Sequence, residues 1–483
     1  MIINPYIFSA SSAFDDLWGW WRADDFSGGA GTYVLNDKSG NTRNMTQAAG
    51  TLTPGTSANG QARFVGNATA RFTNASTLAR WPMTVITIGL RAAGATMGFF
   101  GHQGASPFNS FWHGYETSNR NFIYHTGATN NTTTEAGATT CYMARVGYGS
   151  RVATLNGIIL ADMVQAGMVN GSAAVTIGTE YRGLNGEWQE CLVWDRTLTI
   201  VEIDEVHSYI NTRYGMSIPL WSSYTAVKTI WLGGQSNAGG RGDRGTADVN
   251  VPAEYQGALT GVNVWAGTTV WGVQFQTMNI TTNNHNWYEQ ANAALFFGPE
   301  LTMCKEYIDR VGGSVYLVKV ALGATWMTAD TTANGFWDAT DNSLVQANQR
   351  RRYAVGMRSW WEAMRVWQQN SQRPNIIGQV FYQGEQDATN EAKAGLWADN
   401  ALIMFRELDK EMGLSGRKFI CRVHMDIPET YKGIVRAENE ALVLMLPNSE
   451  LVNVDSYATR VGDPVHLGPQ GQLDLGTYLA GIL

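Results

Sequence analysis

The chain has 483 residues, a net charge of −7, 44% hydrophobic residues, 53 glycines and 18 tryptophans. Such a composition builds buried cores and excludes a disordered chain, and the length predicts two or three domains. With Lys38 as the only lysine in the first 220 residues, no basic face for a nucleic-acid backbone can form, so nucleic-acid partners are excluded.

The first residues, Met1-Ile2-Ile3-Asn4-Pro5-Tyr6, lack the basic start of a secretory signal. The longest aliphatic stretches, such as Ala441 to Leu446, are too short to span a membrane. Cys141, Cys191, Cys304 and Cys421 lie far apart with no disulfide-framework spacing, which predicts reduced, mostly buried thiols and synthesis in a cytoplasm.

Up to about residue 198, short apolar segments alternate with Gly, Asn, Thr and Ser turns. Thr84 to Leu90 and Ala174 to Gly178 are examples, and the pattern predicts antiparallel β-structure. Trp20, Trp21, Trp112 and Trp188 could stack on sugars, although aromatic residues in a sandwich more often fill its core. A helix is expected over Thr199 to Tyr214, with Asp204-Glu205-Val206-His207 as a solvated face. The pattern changes near Pro219–Tyr224. From about residue 226, strands alternate with amphipathic stretches such as Pro299 to Val311 and Lys393 to Met412, which predicts an α/β domain with a parallel sheet. Domains are therefore expected at residues 1–222 and 223–483.

In the second domain the apolar run Ile230-Trp231-Leu232 breaks into Gly233-Gly234-Gln235-Ser236-Asn237-Ala238-Gly239-Gly240. A strand ending in such a turn can project Ser236 into solvent at the edge of a sheet, and the glycines permit close backbone approaches. By itself this could equally be a tight turn with an inert serine. Asp463-Pro464-Val465-His466 supplies the rest of a nucleophilic system. Imidazole is the usual base for a serine hydroxyl, a carboxylate holds its tautomer, and one loop can deliver both groups. Asn375 to Tyr382 and Ser314 to Ala321 read as buried strands that run into Gln383-Gly384-Glu385-Gln386-Asp387 and Leu322-Gly323-Ala324-Thr325. Ligand sites of parallel α/β sheets lie beyond the carboxyl ends of the strands. One crevice could thus place the backbone N–H groups of Ser236 and Gly323 and the Gln383 amide around an oxyanion. Gly-x-Ser-x-Gly, the α/β-hydrolase elbow, is absent because Ala238 stands two after Ser236. No His-x-His or Cys-x-x-Cys spacing supports a metal, and His424 with Asp426 is read as the end of a strand. No cofactor fingerprint is present, so neither metal nor cofactor is expected.

Gly234-Gln235-Ser236-Asn237, Gln383-Gly384-Glu385 and Asp463-Pro464-Val465-His466 together resemble the signature blocks of SGNH (GDSL-like) hydrolases, over about residues 226–483. Within that superfamily they are most similar to the sialate O-acetylesterase-like branch, which includes carbohydrate acetyl esterases. The resemblance implies Ser236 as nucleophile, His466 as base and Asp463 as its partner. It puts Ser236, Gly323 and Gln383 around the oxyanion, and Gln235, Asn237 and Glu385 behind the catalytic groups as braces. Two departures concern the acyl pocket: Ala324 stands where the family often has a second glycine, and Ala238 where a large apolar residue is frequent.

Leu17 to Asp24, Asn36 to Asn41, Gly60 to Phe64 and Gly186 to Arg196 look like concanavalin A-like (LamG-type) jelly-roll modules. The implied fold is an N-terminal all-β jelly-roll sandwich followed by a C-terminal three-layer α/β SGNH hydrolase. The implied function is a serine esterase that removes O-acetyl groups from a carbohydrate, such as a bacterial surface polysaccharide, through an acyl-enzyme. A non-catalytic glycan-binding adhesin is the rival class. Ile3-Asn4-Pro5-Tyr6 resembles short N-termini of phage tail proteins. That suggests a virion setting with tail assembly or homo-oligomers, against the alternative of a bacterial cytoplasm.

Overall fold

A computed structural model describes residues 12–79, 82–92, 97–102, 112–116, 120–124, 139–147, 151–160, 172–178, 183–243, 251–265, 275–279, 296–328, 335–339, 352–412 and 416–483. The chain divides into two compact units, with the division between Tyr224 and Thr225. Residues 3–6 and the Trp112 side chain lie outside the described residues.

Among the described residues, the first unit contains two eight-stranded antiparallel sheets. In one sheet, Gly186–Trp194 pairs with Met83–Arg91 on one side and with Gly19–Arg22 and Ala62–Gly66 on the other. Alternate side chains of each strand turn inward, and the two inner faces share one core. Trp21, Phe64, Tyr142 and Trp188 enter it from this sheet, and Leu35, Met45, Phe72, Phe99 and Ile177 from the other. Phe99 stacks on Tyr142 with ring centroids 4.3 Å apart. Trp21 and Trp188 are therefore core residues, each 0% exposed.

The helix Ile200–Tyr214 begins with a capping box between Thr199 and Glu202 and ends at Gly215 in a left-handed conformation. It docks through Glu190, a buried carboxylate that accepts hydrogen bonds from Tyr209 Oη (2.8 Å), Tyr214 Oη and Trp20 Nε1. The expected solvated face of this helix is corrected. Val206 and His207 are buried, and burial pushes the His207 imidazole down to about 4. Asp204 accepts hydrogen bonds from the backbone N–H groups of Trp221 (2.6 Å) and Ser222 (2.7 Å). The four cysteines are free and buried.

The second unit is built on a seven-stranded sheet, counted among the described residues. Its strands are β1 (Thr225–Gly234), β2 (Ala258–Trp265), β3 (Phe275–Asn279), β4 (Val315–Ala321), β5 (Gln372–Tyr382), β6 (Arg417–Cys421) and β7 (Ser449–Val452), in the order β3-β2-β4-β1-β5-β6-β7. Only the edge strand β3 runs antiparallel to its neighbour. Parallel strands covered on both faces read as continuous apolar runs, which explains the burial of Ile230, Trp231 and Leu232 alike. Ile230 and Leu232 share a core with Leu301, Cys304, Leu473 and Leu479, whereas Trp231 stacks on Phe381, which meets Phe405. These contacts place helices α2 (Glu300–Val311) and α6 (Pro469–Ile482) on one face and α4 (Trp397–Met412) on the other. The helices α1 (Ser236–Gly239), α3 (Arg352–Gln369) and α5 (Lys432–Met445) complete the order. The helix expected over Lys393 to Met412 is broken at Gly395 into Glu391–Ala394 and α4. Among the described residues, no helix is long and apolar enough to cross a membrane.

Helices α2 and α6 approach closely at Gly476, where an added methyl would overlap Thr302 Oγ1 and the Pro299 carbonyl. Thr302 Oγ1 meanwhile donates to the Leu473 carbonyl at 2.8 Å. Gly476→Ala is therefore expected to destabilise the protein by about 1–3 kcal/mol through overpacking, read as a lower urea midpoint. An unchanged midpoint would show that this helix contact yields without cost.

Candidate active site

The chain passes from β1 to β2 on one side, returns to β4 beside β1, then crosses to β5 on the other side. That reversal makes the carboxyl ends of β1, β4 and β5 the expected crevice of the sheet. The Leu322 N–H donates to the Gly234 carbonyl (3.1 Å) and the Gln235 N–H to the Tyr382 carbonyl (3.0 Å), so the three strand ends are bound together. Gly234 has φ +139°, and a Cβ there would collide with the Tyr382 carbonyl. Glycine is thus required where β1 turns into α1. The expectation of a solvent-projected serine at a sheet edge is corrected: β1 is central, and Ser236 is 4% exposed.

The hairpin strand β8 (Asp463–Leu467) supplies the groups that face Ser236. Asp463 pairs with Arg460 and Leu467 with Thr459, so the register shifts and Pro464 to His466 bulge out of the ladder. In a regular strand, residues three apart face opposite sides; the bulge, next to a proline with no N–H to pair, lets both side chains turn one way. His466 Nδ1 lies 2.6 Å from Asp463 Oδ2, and His466 Nε2 lies 2.8 Å from Ser236 Oγ. With Nδ1–H donating to the carboxylate, Nε2 is left as an acceptor for the hydroxyl proton. Both side chains keep some exposure, 19% for His466 and 30% for Asp463.

A buried carboxylate braces this arrangement. Glu385, 2% exposed, accepts from Gln235 Nε2 (2.5 Å) and Asn237 Nδ2 (2.6 Å), the two residues that flank Ser236. Asn237 also donates to the Val465 carbonyl (3.1 Å) and accepts from the Leu467 N–H (2.9 Å), so its amide straddles His466. Gln472 Nε2 meets the Asn237 carbonyl at 3.4 Å. Burial pushes the Glu385 carboxyl up to about 7, against the lowering effect of the Asn237 hydrogen bond.

Gln383 falls at the end of β5, but its expected place as an oxyanion donor is corrected. Its amide nitrogen donates to the Thr325 carbonyl (2.8 Å) and to Asp387 Oδ2 (2.6 Å), which uses both hydrogens, and its oxygen accepts from Trp397 Nε1. Asp387, raised to about 7 by burial, also accepts from the Met327 N–H at 3.0 Å. The Gln383–Asp387 pair therefore holds the loop after β4. Its signal in the sequence was the carboxylate four residues after the glutamine. Gly323 is buried in that loop, and Ala324 beside it is exposed with φ +56°. Alanine is strained in this left-handed conformation, which glycine adopts freely. His424 Nδ1 accepts from the Asp426 N–H (3.1 Å) just beyond β6.

A serine at the end of a central parallel strand, met by a histidine and a carboxylate from a separate hairpin in hydrogen-bonded series, is the side-chain arrangement of a serine hydrolase. Residues 227–483 match the family described as carbohydrate esterase, sialic acid-specific acetylesterase, a span that exceeds half of the chain. The chain belongs to that family. No curated protein matches it. Among solved structures, a protein of Arabidopsis thaliana is 18% identical over 53% of this chain and 96% of its own, with a TM-score of 0.41. NanS is 11% identical over 54% of this chain and 97% of its own, with a TM-score of 0.38. A Trypanosoma rangeli sialidase in complex with sialic acid is 12% identical over 42% of this chain, with a TM-score of 0.32. The match spans 34% of the sialidase's length.

The Glu385 carboxyl at about 7 lies above the ordinary glutamate value of about 4.3. Between those pH values the folded state holds a proton that the unfolded chain has lost. The stability tied to that proton is complete below the lower value and is lost as the pH rises through the upper one. The stability difference between wild type and Glu385→Gln is expected to fall between about pH 4.5 and 7.5, measured by urea denaturation. A flat difference would show that Glu385 titrates as an ordinary carboxylate.

Proposed function

We propose that this protein is a serine esterase that removes O-acetyl groups from a carbohydrate, with a bacterial surface polysaccharide as the substrate class. The observation that carries the reading is the continuous series from Ser236 Oγ to His466 Nε2 and from His466 Nδ1 to Asp463 Oδ2, in a chain of a carbohydrate esterase family.

In this reading Ser236 Oγ attacks the acetyl carbonyl carbon while its proton passes to His466 Nε2. Asp463 stabilises the imidazolium through the Nδ1 proton. The backbone N–H groups of Ser236 and Gly323 face the developing oxyanion, and Gln383 positions the Gly323 loop from behind. When the tetrahedral intermediate collapses, the sugar oxygen leaves with the proton from His466, and Ser236 keeps the acetyl group. A water molecule, deprotonated by His466, then attacks the acetyl carbon and releases acetate, and the proton returns to Ser236. The chemistry is complete with these side chains. The first unit, as a jelly-roll sandwich, would bring glycan to the esterase by linkage through one chain.

Ser236→Ala is expected to lower kcat/KM on an aryl acetate by at least about 10³-fold, as loss of a triad member does, with an unchanged thermal midpoint. The wild type should free acetate from O-acetylated saccharides, assayed as a panel. Residual Ser236→Ala activity within about tenfold of wild type would remove Ser236 from the chemistry.

A further inference from the structure

Strand β4 carries a lysine where its pattern calls for an aliphatic side chain. Val315, Leu317 and Ala321 turn to the core that packs on α2 and α6, and by alternation residue 319 turns the same way. Lys319 is 1% exposed there. Its ammonium lies 2.9 Å from Glu300 Oε2, at the start of α2, and both side chains are fully buried. The same ammonium donates to the Gly239 carbonyl at 2.8 Å. Gly239 is the last residue of the single turn that Ser236 opens. Glu300 in turn accepts from the Gly298 N–H at 3.1 Å, and Gly240, with φ +98°, crosses so close to Gly298 that no Cβ would fit.

We propose that Lys319 is a positioning residue for Ser236, anchoring the turn through the Gly239 carbonyl, with Glu300 as the counter-charge that makes a buried ammonium tolerable. The inference rests on the reading of Ser236 as nucleophile. A buried ion pair is a weak source of stability, because desolvating two charges costs about as much as their attraction returns, and apolar replacements are often neutral or better. Stability alone therefore does not account for a lysine at this position. Its second contact, to the turn that carries the serine, does. The second buried pair of this unit sharpens the contrast. Lys418 and Asp409 lie 3.0 Å apart near the amino end of β6, away from the carboxyl ends that form the crevice.

The test compares three variants with wild type in the full chain. Lys319→Met with Glu300→Gln removes both charges and the anchor. Glu300→Gln alone keeps the Lys319 side chain within reach of Gly239 but removes its counter-charge. Lys418→Met with Asp409→Asn removes a buried pair elsewhere. Two readouts are taken: aryl-acetate kinetics, and amide exchange at Gly239 and Gly240, whose N–H groups close the turn onto Gln235 (2.7 Å) and Ser236 (2.8 Å) carbonyls. The first variant is expected to exchange these amides at least about tenfold faster and to lose about 10- to 100-fold in kcat with little change in KM, as a small misplacement of a reacting group does. The Lys418 variant should exchange these amides as wild type does and keep its kcat, whereas Glu300→Gln alone, which keeps the amine beside Gly239 without its counter-charge, should exchange them more slowly than the first variant. Should the methionine variant fail to fold, Lys319→Gln with Glu300→Gln fills the same space, stops short of Gly239 and carries the same expectations. Wild-type exchange and kcat in a variant lacking the ammonium would overturn the proposal. Turnover that survives Ser236→Ala would overturn the reading of Ser236 as nucleophile instead, and the exchange result would still decide whether Lys319 holds the turn.

Discussion

The Asn237 side chain holds the two halves of the site in register. Ser236 arrives just after the central strand β1, whereas Asp463 and His466 arrive more than 220 residues later on a hairpin, and nothing in either segment alone sets their separation. Asn237 takes the Leu467 N–H and gives to the Val465 carbonyl, so the backbone on both sides of His466 is tied to the residue after Ser236. A short amide with fixed donor and acceptor ends leaves little freedom at such a joint. The 2.8 Å contact between serine and imidazole is set in part by that joint.

The joint needs a support of its own, and buried charge provides it. Glu385 fixes Asn237 and Gln235 from behind, and the Gln383–Asp387 pair fixes the loop after β4. Each carboxyl is desolvated, a cost only partly offset by its amide donors, and both are pushed up to about 7. Apolar packing could fill the same space more cheaply but would not specify direction, since dispersion contacts tolerate sliding where hydrogen bonds do not. Polar groups therefore gather behind Ser236, while apolar side chains such as Trp231, Phe381 and Leu317 cover much of the rest of the sheet.

What could be read from the residues alone was local. The Asp463–His466 spacing, the glycine-bounded turn at Ser236 and the change from alternating to helical periodicity near residue 222 each lie within one stretch of chain. The burial of Ser236 did not show, because the hairpin near it is distant in sequence. The strand-end amide of Gln383 suits an oxyanion donor. That Asp387, one turn further on, would take one of its hydrogens depends on how the loop folds back. An Asp-Glu-x-His cluster on a helix reads as solvated, and the burial of His207 depends on the surface against which the helix docks. Lys319 gave a signal, a charge inside an apolar strand, whose meaning rests on Glu300 and Gly239 meeting it in space.

The most direct measurement of this account is the rate at which a serine-reactive phosphonate modifies the protein, followed by intact mass with the modified residue mapped. Wild type should take one phosphonyl group, on Ser236, and Asn237→Ala should react at least about 100-fold more slowly while staying folded, because the imidazole is no longer held to the hydroxyl. Equal rates in the two proteins, or modification at another residue, would contradict the claim that the Asn237 joint makes Ser236 reactive.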